Sequence, residues 1–336
     1  MSTVDLNDIV MEDNGRMSIE TLASNGDAIS IPWCPNFTSL LKPGLTFHSK
    51  LAKTDSPWSA ESPFTAESMQ YIPLQYCGEQ GGLASYRSIE TQSSAHTAEH
   101  LGVTLGVSVG CKFLNASVTG GYDKDVLENE NASKLSIRAS YRAGTVILAG
   151  RPQLTKEAIW HLRHGGGLPS FKESYGDYYV AGFRIGGDSG LMVSKSSFSK
   201  KVIERLSVQV EATALLVTVG KTYEKFFDSA SSGSSFSISA FDTLDAMHTR
   251  ASVDQSLDEI GKLWTTATGK TVKLAQRAEE RMQEMGLSGG SIMGQDEVFG
   301  VLASSNLIVE ILLLPIATLR EVVESSYDDG FIALFT

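Results

Sequence analysis

The 336-residue chain has few of the features that mark secreted proteins. It contains three cysteines, Cys34, Cys77 and Cys111, and because they are odd in number and far apart, no disulfide framework is predicted. Residues 1–16 are polar and acidic and lack an apolar stretch behind a basic start, so no secretory signal is predicted. We therefore expect synthesis in the cytoplasm, and any release to a target membrane would proceed without a signal peptide.

Basic residues are also scarce. Lys and Arg number 28 against 39 Asp and Glu, which gives a formal net charge of −11. Nucleic-acid binding needs clustered cations to replace phosphate counter-ions, so nucleic acid is not a predicted partner. A membrane target would be recognised through a neutral headgroup, a receptor or a local basic face. Lys195, Lys200, Lys201 and Arg205 could form such a face, although a solvated surface is the simpler interpretation.

Long hydrophobic runs are absent as well. The most apolar segment, Leu307 to Leu319, is too short for a membrane-spanning helix and predicts a buried helix instead. No repeat of fixed period is present, which argues against a solenoid or propeller. We predict three parts: an irregular or short-stranded segment over residues 1–63, a main domain over residues 64–286, and a linker with an apolar helix over residues 287–336.

Segments of alternating polarity dominate the main domain. Val103 to Phe113 has an apolar residue at every second position over eleven residues. A half-buried antiparallel strand gives this pattern, and so does a tilted membrane-spanning strand, which takes about 9–11 residues. Shorter alternating stretches occur at residues 135–141, 208–214 and 236–240. The sequence therefore predicts several two-faced strands and leaves open whether any of them crosses a membrane.

Two helices are predicted together with their ends. The first runs from Leu154 to His164, with Thr155 as a plausible cap and a run of glycines from Gly165 as its stop. The second runs from Asp254 to Met285 with a break at Gly269.

The most informative stretch is Phe171 to Gly187, where aromatic residues and glycines lead into a short strand that ends at a glycine pair. Gly186 and Gly187 remove side chains where a sheet could bend sharply. This arrangement resembles the signature of the membrane attack complex/perforin (MACPF) family, in which an aromatic residue, Gly, Thr or Ser, His and a second aromatic residue precede a strand and a Gly-Gly hinge. The corresponding residues here are Tyr175, Gly176, Asp177, Tyr178 and Tyr179. Asp177 stands in place of the family's Thr or Ser, and Tyr178 in place of its His.

The resemblance implies an α+β fold, with a bent antiparallel sheet of four long strands flanked by two helical clusters. In the family, monomers bind a membrane, assemble into a ring and unfold these clusters into hairpins that insert as a β-barrel. Residues 115–133 and 226–263 occupy the corresponding places in this chain. The candidate membrane-inserting residues are Phe113, Val118, Tyr122, Val126, Leu127, Phe236, Ile238 and Phe241.

By the same resemblance, Gly186 and Gly187 would carry the bend that straightens during insertion, and Tyr175, Gly176 and Tyr179 would pack the signature turn against the sheet. The implied function is a pore-forming protein whose partners are a lipid membrane and further copies of itself, with no cofactor. One alternative is a non-lytic MACPF-like protein that serves as an interaction or partner subunit. A second protein for targeting is compatible with both.

Catalytic motifs are incomplete. The string GDSG at residues 187–190 occurs around some serine nucleophiles, but Ser189 would also need a histidine base and an orienting acid, and no histidine has a local context that supports one. His96 and His100 lie four apart, yet HTAEH is not the HExxH of zinc proteases, and no third ligand is in view. Two Gly-Lys-Thr strings lack the earlier glycine of a phosphate loop. We predict no enzyme and no metal site, with a hydrolase using Ser189 as the least favoured alternative.

Overall fold

The computed structural model describes residues 19–33, 41–91, 133–195, 236–252, 257–290 and 292–325. Within these ranges the chain is α+β, and its strands form one curved, nine-stranded antiparallel sheet.

The bounds of the elements are as follows. The strands are β1 (Ile29–Pro32), β2 (Thr46–Phe47), β3 (Leu74–Thr91), β4 (Ser133–Leu148), β5 (Tyr178–Lys195), β6 (Phe236–Asp242), β7 (Met247–Ser252), β8 (Ile292–Met293) and β9 (Ile308–Pro315). The helices are α1 (Ile19–Asn25), α2 (Ala66–Tyr71), α3 (Lys156–His164), α4 (Gly167–Tyr175), α5 (Leu257–Val272), α6 (Leu274–Glu284) and α7 (Gln295–Ser305). Single 3-10 turns occupy Ser49–Leu51 and Ile316–Thr318.

Three long strands, β3, β4 and β5, lie side by side at the centre of the sheet. On its other side β5 has two neighbours in succession. β9 pairs with β5 from Tyr178 to Ile185, and β6 pairs with it from Ser189 to Lys195. β1 lies outside β9, and β7 lies outside β6. The half of the sheet that contains Tyr178 is termed the lower sheet, and the half that contains Lys195 the upper sheet.

Register shifts occur in the long strands at one level. The pairing of β3 with β4 shifts between Gly78 and Leu83, and the pairing of β4 with β5 shifts between Arg142 and Gly144. Such irregularities bend a strand and increase its twist. The neighbour of β5 changes from β9 to β6 at the same level of the sheet. This level is termed the bend line.

The two faces of β5 at the bend line have different surroundings. On one face, Gly187 lies beneath Leu274 of α6, and the Ser189 hydroxyl lies 2.8 Å from the Thr271 hydroxyl of α5. Because side chains alternate along a strand, Asp188 points to the opposite side. The side covered by α5 and α6 is termed the helix face, and the side of Asp188 the ionic face.

The lower sheet contributes a large apolar core. Phe183 of β5 is fully buried and packs against Trp33 and Phe299, with ring centroids 6.0 Å and 5.3 Å away. The contact with Trp33 is edge-to-face, a geometry that contributes beyond the area that it buries. The aromatic core thus packs against the lower sheet, directly below the bend line.

Several predicted elements are confirmed. The alternating residues 135–141 lie in β4, and residues 236–240 lie in β6. Helix α3 follows its predicted cap, since the Thr155 hydroxyl accepts a hydrogen bond from the Ala158 amide at 3.1 Å, and Gly165 caps the other end. Residues 103–113 and 208–214 lie outside the described residues.

The prediction of a buried helix at Leu307 to Leu319 is wrong. Ile308–Pro315 form strand β9, which lies between β1 and β5, and only a single 3-10 turn follows. A strand with neighbours on both sides is apolar throughout, so periodicity does not separate it from a buried helix.

The second predicted helix is two helices, and its break was placed wrongly. The chain leaves helical geometry at Lys273, between α5 and α6. Gly269 lies inside α5, and its carbonyl still accepts a hydrogen bond from the Lys273 amide at 3.3 Å. A glycine lowers helix stability by about 1 kcal/mol relative to alanine, which the packing of α5 on the sheet can offset.

The sheet also differs in detail from the predicted four long strands. Three strands have 16 to 18 residues, and the fourth position beside β5 is divided between β6 and β9. The strand after the signature turn does not end at the glycine pair but continues to Lys195.

The prediction of a helical cluster at residues 226–263 is wrong for two stretches. Phe236–Asp242 and Met247–Ser252 are strands. The other predicted segment, residues 115–133, lies outside the described residues apart from Ser133, the first residue of β4. The three-part division of the chain stays a prediction.

Candidate functional site

The signature turn is the junction between α4 and β5. Gly176 has a φ of +93°, and a Cβ atom there would lie 2.6 Å from the Phe47 carbonyl oxygen. Both the backbone geometry and the close approach of β2 therefore require glycine. The Asp177 amide donates to the same Phe47 carbonyl at 3.0 Å, so the turn is fixed to β2 by its backbone.

The Asp177 carboxylate closes this turn. It accepts hydrogen bonds from the Ser49 amide at 2.8 Å and from the Ser49 hydroxyl at 2.5 Å. A carboxylate that accepts from an amide and a hydroxyl forms stronger hydrogen bonds than a neutral group would. Asp177 thus holds the turn against the segment after β2, at a position where MACPF proteins have Thr or Ser.

The three signature tyrosines have different partners. The Tyr178 hydroxyl donates to the Asp27 carbonyl at 2.8 Å, and Tyr179 packs edge-to-face with Phe64 at 5.4 Å. Burial raises the pKa of Tyr178 to about 12. Tyr175 does not contact the sheet in this way but packs against Phe171 within α4, at 4.9 Å.

The glycine pair lies on the bend line. A Cβ atom on Gly186 would lie 1.9 Å from the Tyr141 carbonyl oxygen of β4, so the two strands approach there as closely as backbone allows. On Gly187, a Cβ atom would meet the side chains of Leu274 and Leu244 at 2.9 Å and 3.2 Å. Gly186 therefore permits contact between strands, and Gly187 permits contact with α6.

A buried ion cluster lies beside this pair on the ionic face. Arg142 of β4 donates to both carboxylate oxygens of Asp188 in β5, at 2.9 Å and 3.1 Å. It also donates twice to Glu310 of β9, at 3.0 Å and 2.8 Å. All three residues are 9% exposed or less. The cluster formed by Arg142, Asp188 and Glu310 is termed the strand cluster, because it joins three strands.

Further contacts hold the strand cluster in place. Ser140 donates to Asp188 at 2.5 Å, and the partly exposed Arg184 lies 3.7 Å from Glu310. Burial alone would lower the pKa of Arg142, but the charges of Asp188 and Glu310 outweigh this effect and raise it above its ordinary value. Arg142 is therefore a permanent cation between two buried carboxylates.

A second cluster attaches the helices to the turn between β6 and β7. Arg277 of α6 contacts Asp242 at 2.7 Å and Asp245 at 3.0 Å, and Lys270 of α5 contacts Asp245 at 2.6 Å. Arg281 of α6 adds a contact with Asp245 at 3.2 Å. This group is termed the helix cluster.

The pKa of Asp245 is lowered although burial acts to raise it, because the hydrogen bond from Lys270 and the neighbouring positive charges outweigh burial. A carboxyl whose pKa is lowered on folding stabilises the fold above its ordinary pKa and loses that effect as pH falls. The helix cluster is therefore expected to weaken in acid.

The candidate inserting residues are only partly described. Phe236, Ile238 and Phe241 lie on β6, with Ile238 and Phe241 buried. The Phe241 ring lies 5.0 Å from the guanidinium of Arg138, and these residues share Gly190 as their pairing partner in β5. Gly190 leaves room for the cation to cross β5 and reach the ring. The remaining candidates, Phe113, Val118, Tyr122, Val126 and Leu127, lie outside the described residues.

The geometry of Ser189 does not support a nucleophile. Its side chain is 2% exposed, and its hydroxyl is hydrogen bonded to Thr271 beneath α5. A nucleophilic serine needs access to substrate and a histidine within hydrogen-bond reach. Ser189 is buried, and no hydrogen bond joins it to a histidine of the described residues.

Two kinds of feature are absent from the described residues. No helix in that part of the chain is long and apolar enough to cross a membrane. No group of three or more His, Cys, Asp and Glu side chains in the same residues is arranged to hold a metal ion. His96 and His100 lie outside this part.

Sequence reasoning missed the strand cluster. Its signal was present, because Glu310 interrupts the most apolar run of the chain and Arg142 adjoins an alternating segment. A charged residue inside an apolar strand is almost never fully buried unless it is paired. The partners themselves come together only through the pairing of β4, β5 and β9.

No protein-family model and no curated protein matches the chain. Among solved structures, stonustoxin is similar over 87% of this chain and 32% of its own, at 10% identity and a TM-score of 0.38. A non-hemolytic pneumolysin from Streptococcus pneumoniae is similar over 72% and 56%, at 12% identity and a TM-score of 0.36. A putative cell invasion protein with a MAC/Perforin domain from Bacteroides thetaiotaomicron is similar over 62% and 48%, at 10% identity and a TM-score of 0.28.

The chain therefore spans less than two thirds of the length of each of these proteins. Its predicted resemblance to MACPF proteins is confirmed as a likeness to solved structures at low identity.

Proposed function

We propose that this chain is a membrane-perforating protein of MACPF type, which binds a membrane, assembles with further copies of itself and inserts two β-hairpins. The observation that carries the proposal is the arrangement of four strand ends at the top of the upper sheet. Thr91 pairs with Lys134, Lys134 pairs with Ser194, and Lys195 pairs with Phe236. The ends of β3, β4, β5 and β6 are thus neighbours in one row.

Two long segments leave from this row and return to it. Residues 92–132 connect β3 to β4, and residues 196–235 connect β5 to β6. If each segment extended the strands from which it leaves, the result would be two adjacent hairpins in the register of the existing sheet. A membrane-spanning strand takes about 9–11 residues, so each segment is long enough for a hairpin. Residues 103–113 and 208–214 also alternate as spanning strands do.

Assembly into a ring follows from the hydrogen-bonding needs of such hairpins. Strands in lipid must satisfy every backbone group, which requires a closed barrel. Within the described residues, β8 covers only Leu74 and Gln75 of β3, so the upper part of β3 is an edge of the sheet. Strand β7 forms the opposite edge. Two such edges on one protomer allow copies to join side by side.

Dye release from vesicles, with electron microscopy of the same samples, tests the proposal. The vesicles are phosphatidylcholine alone, phosphatidylcholine with cholesterol, and phosphatidylcholine with phosphatidylserine. Release together with rings is the expected result. The charge of −11 predicts that phosphatidylserine does not increase release.

A matched pair of variants tests the hairpins directly. Val107 and Ser108 are neighbours at alternating positions, so in a spanning strand one faces lipid and the other the lumen. Val107→Asp should keep binding and rings but lose release, whereas Ser108→Asp should retain release. Equal activity of the two variants would contradict a spanning strand at this segment.

If the wild-type chain releases no dye from any of the vesicles, the result would favour the alternative, a non-lytic partner subunit. Capture of binding proteins from the source extract would then identify its partner.

A further inference from the structure

The strand cluster crosses the bend line, which no other described ion pair within the sheet does. Arg142 pairs with Gly186 at the bend line itself. Asp188, two residues further along β5, lies in the upper sheet, and Glu310, which pairs with Arg184, lies in the lower sheet. The guanidinium therefore connects a carboxylate above the bend line with a carboxylate below it.

The backbone around this cluster is weakly tied across the same line. β9 ends its pairing with β5 at Ile185, and β6 begins at Ser189, so neither neighbour continues past the bend line. The Gly186 amide donates to the Leu307 carbonyl at 2.9 Å, and this bond is the last link between β5 and the chain entering β9. A change of the bend angle would thus meet little resistance from the ladder on this side of β5.

The side chains resist such a change more strongly. Groups on opposite sides of a bend and on one face of a sheet alter their separation when the bend angle alters. Arg142 makes four hydrogen bonds to its two carboxylates, all between 2.8 Å and 3.1 Å. Charge-assisted bonds are about twice as strong as neutral ones, and hydrogen bonds weaken steeply when distance and angle depart from their optimum.

We propose that Arg142, held between Asp188 and Glu310, is an ionic latch that fixes the bend of the sheet, and that the Arg142–Glu310 contact must open before the sheet can straighten. The first half of this inference is a property of the monomer. The second half rests on the proposed function, in which the sheet straightens on a membrane.

Hydrogen exchange of the full-length chain in solution tests the latch without any membrane. Glu310→Gln keeps the size of the side chain but removes its charge. The Gly186 amide should then exchange at least about tenfold faster, because its bond to Leu307 crosses the released bend line. The Val180 amide, which donates to Leu45 in the lower sheet, should exchange at the wild-type rate. An unchanged Gly186 rate, or an equal acceleration of both amides, would overturn the latch.

Two further variants separate the latch from general effects of charge. Arg142→Lys keeps the positive charge but cannot form the same forked contacts, so it should give an intermediate acceleration at Gly186. Glu324→Gln removes one partner of the exposed Arg320–Glu324 pair and should change neither amide. An Arg142→Lys variant that matches the wild type would show that charge alone, without the forked geometry, holds the bend.

Vesicle release then tests the second half and separates it from the proposed function. If the wild type releases dye, Glu310→Gln should release it about tenfold faster, in proportion to the easier opening. Equal release by both would overturn the claim that this contact opens first. Exchange at Gly186 could be accelerated although neither chain releases dye from any vesicle. That outcome would refute the proposed function but would still support the latch in the monomer.

Discussion

Two charge clusters lie on opposite faces of the central sheet at the bend line, and they differ in what they join. The strand cluster ties three strands of the sheet to one another through Arg142. The helix cluster ties α5 and α6 to the turn after β6 through Arg277, Arg281 and Lys270. In the strand cluster one cation binds two carboxylates, whereas in the helix cluster three cations bind two carboxylates.

This difference has an energetic consequence. Removal of Arg142 would leave Asp188 buried without its cation, and Glu310 would keep only the more distant, partly exposed Arg184. In the helix cluster, Asp245 has three cationic partners and is partly exposed, so water and the remaining cations replace a lost partner. The carboxylates of the strand cluster thus depend mainly on one buried cation, whereas Asp245 in the helix cluster has three cations around it.

The largest expected effect comes from the glycine pair. Gly186→Val should lower the free energy of unfolding by more than about 5 kcal/mol, because its side chain would overlap the backbone of β4. Gly187→Val meets only the ends of Leu274 and Leu244 and should cost about 1–3 kcal/mol. Denaturant unfolding of both variants checks this, and similar losses would contradict the distinction between a strand contact and a helix contact.

The charge clusters give the next effect. Arg142→Met should lower the free energy of unfolding by about 3–5 kcal/mol, because it leaves Asp188 buried without its cation and leaves Glu310 with only the partly exposed Arg184. Arg277→Met, matched in chemistry, should cost about 1–3 kcal/mol, because Asp242 retains the Asp245 amide as a donor. Thermal or denaturant unfolding measures both, and a greater cost at Arg277 would reverse the comparison.

Two buried serines repeat the comparison on a smaller scale. Ser140 donates to the charged Asp188 on the ionic face, whereas Ser189 shares a hydrogen bond with the neutral Thr271 on the helix face. Ser140→Ala should therefore cost about 1.5–3 kcal/mol and Ser189→Ala about 0.5–1.5 kcal/mol. Ser189→Ala should also leave dye release unchanged. If the wild type turned over ester or peptide substrates and Ser189→Ala did not, the result would instead support the hydrolase alternative.

The smallest effect is a dependence on alkaline pH that belongs to the helix face. The Tyr141 hydroxyl donates to Glu279 of α6 at 2.8 Å, and burial, followed by this bond, raises the pKa of Tyr141 above its ordinary value of 10.0. The unfolded chain loses this proton first, so the stabilisation is complete below pH 10 and declines as pH rises above it.

Unfolding experiments at increasing alkaline pH should show a shallower decline for Tyr141→Phe than for the wild type. Tyr71→Phe, at a side chain that is 75% exposed, is the control and should keep the wild-type slope. An identical slope in all three chains would show that Tyr141 does not contribute.

The parts of the fold that the sequence predicted are those that depend on local chemistry. Thr155 and Gly165 delimit α3 because a cap and a glycine act within one turn of the chain. The glycine pair was predicted at the end of a short strand and lies inside the longer β5, where the close approach of β4 favours glycine at position 186.

Features that depend on distant partners were missed or misassigned. Residues 308–315 are a strand only because β1 and β5 lie on either side of them. The strand cluster was invisible for the same reason, since Arg142 and Glu310 lie far apart in sequence and meet through pairings that no local pattern encodes.

The order of the strands along the chain has a consequence for biosynthesis. Arg142 and Asp188 leave the ribosome well before Glu310, and β9, which adds to the lower sheet, is the last of the described strands to be made. Until it arrives, β1 has no neighbour and Arg142 has only one of its two carboxylates. Folding of the lower sheet is thus deferred until β9 has been synthesised, and contacts of such long sequence separation form slowly. The lower half of β5 therefore remains an open strand edge while residues 196–307 are synthesised, and an open edge of this kind can pair with other chains.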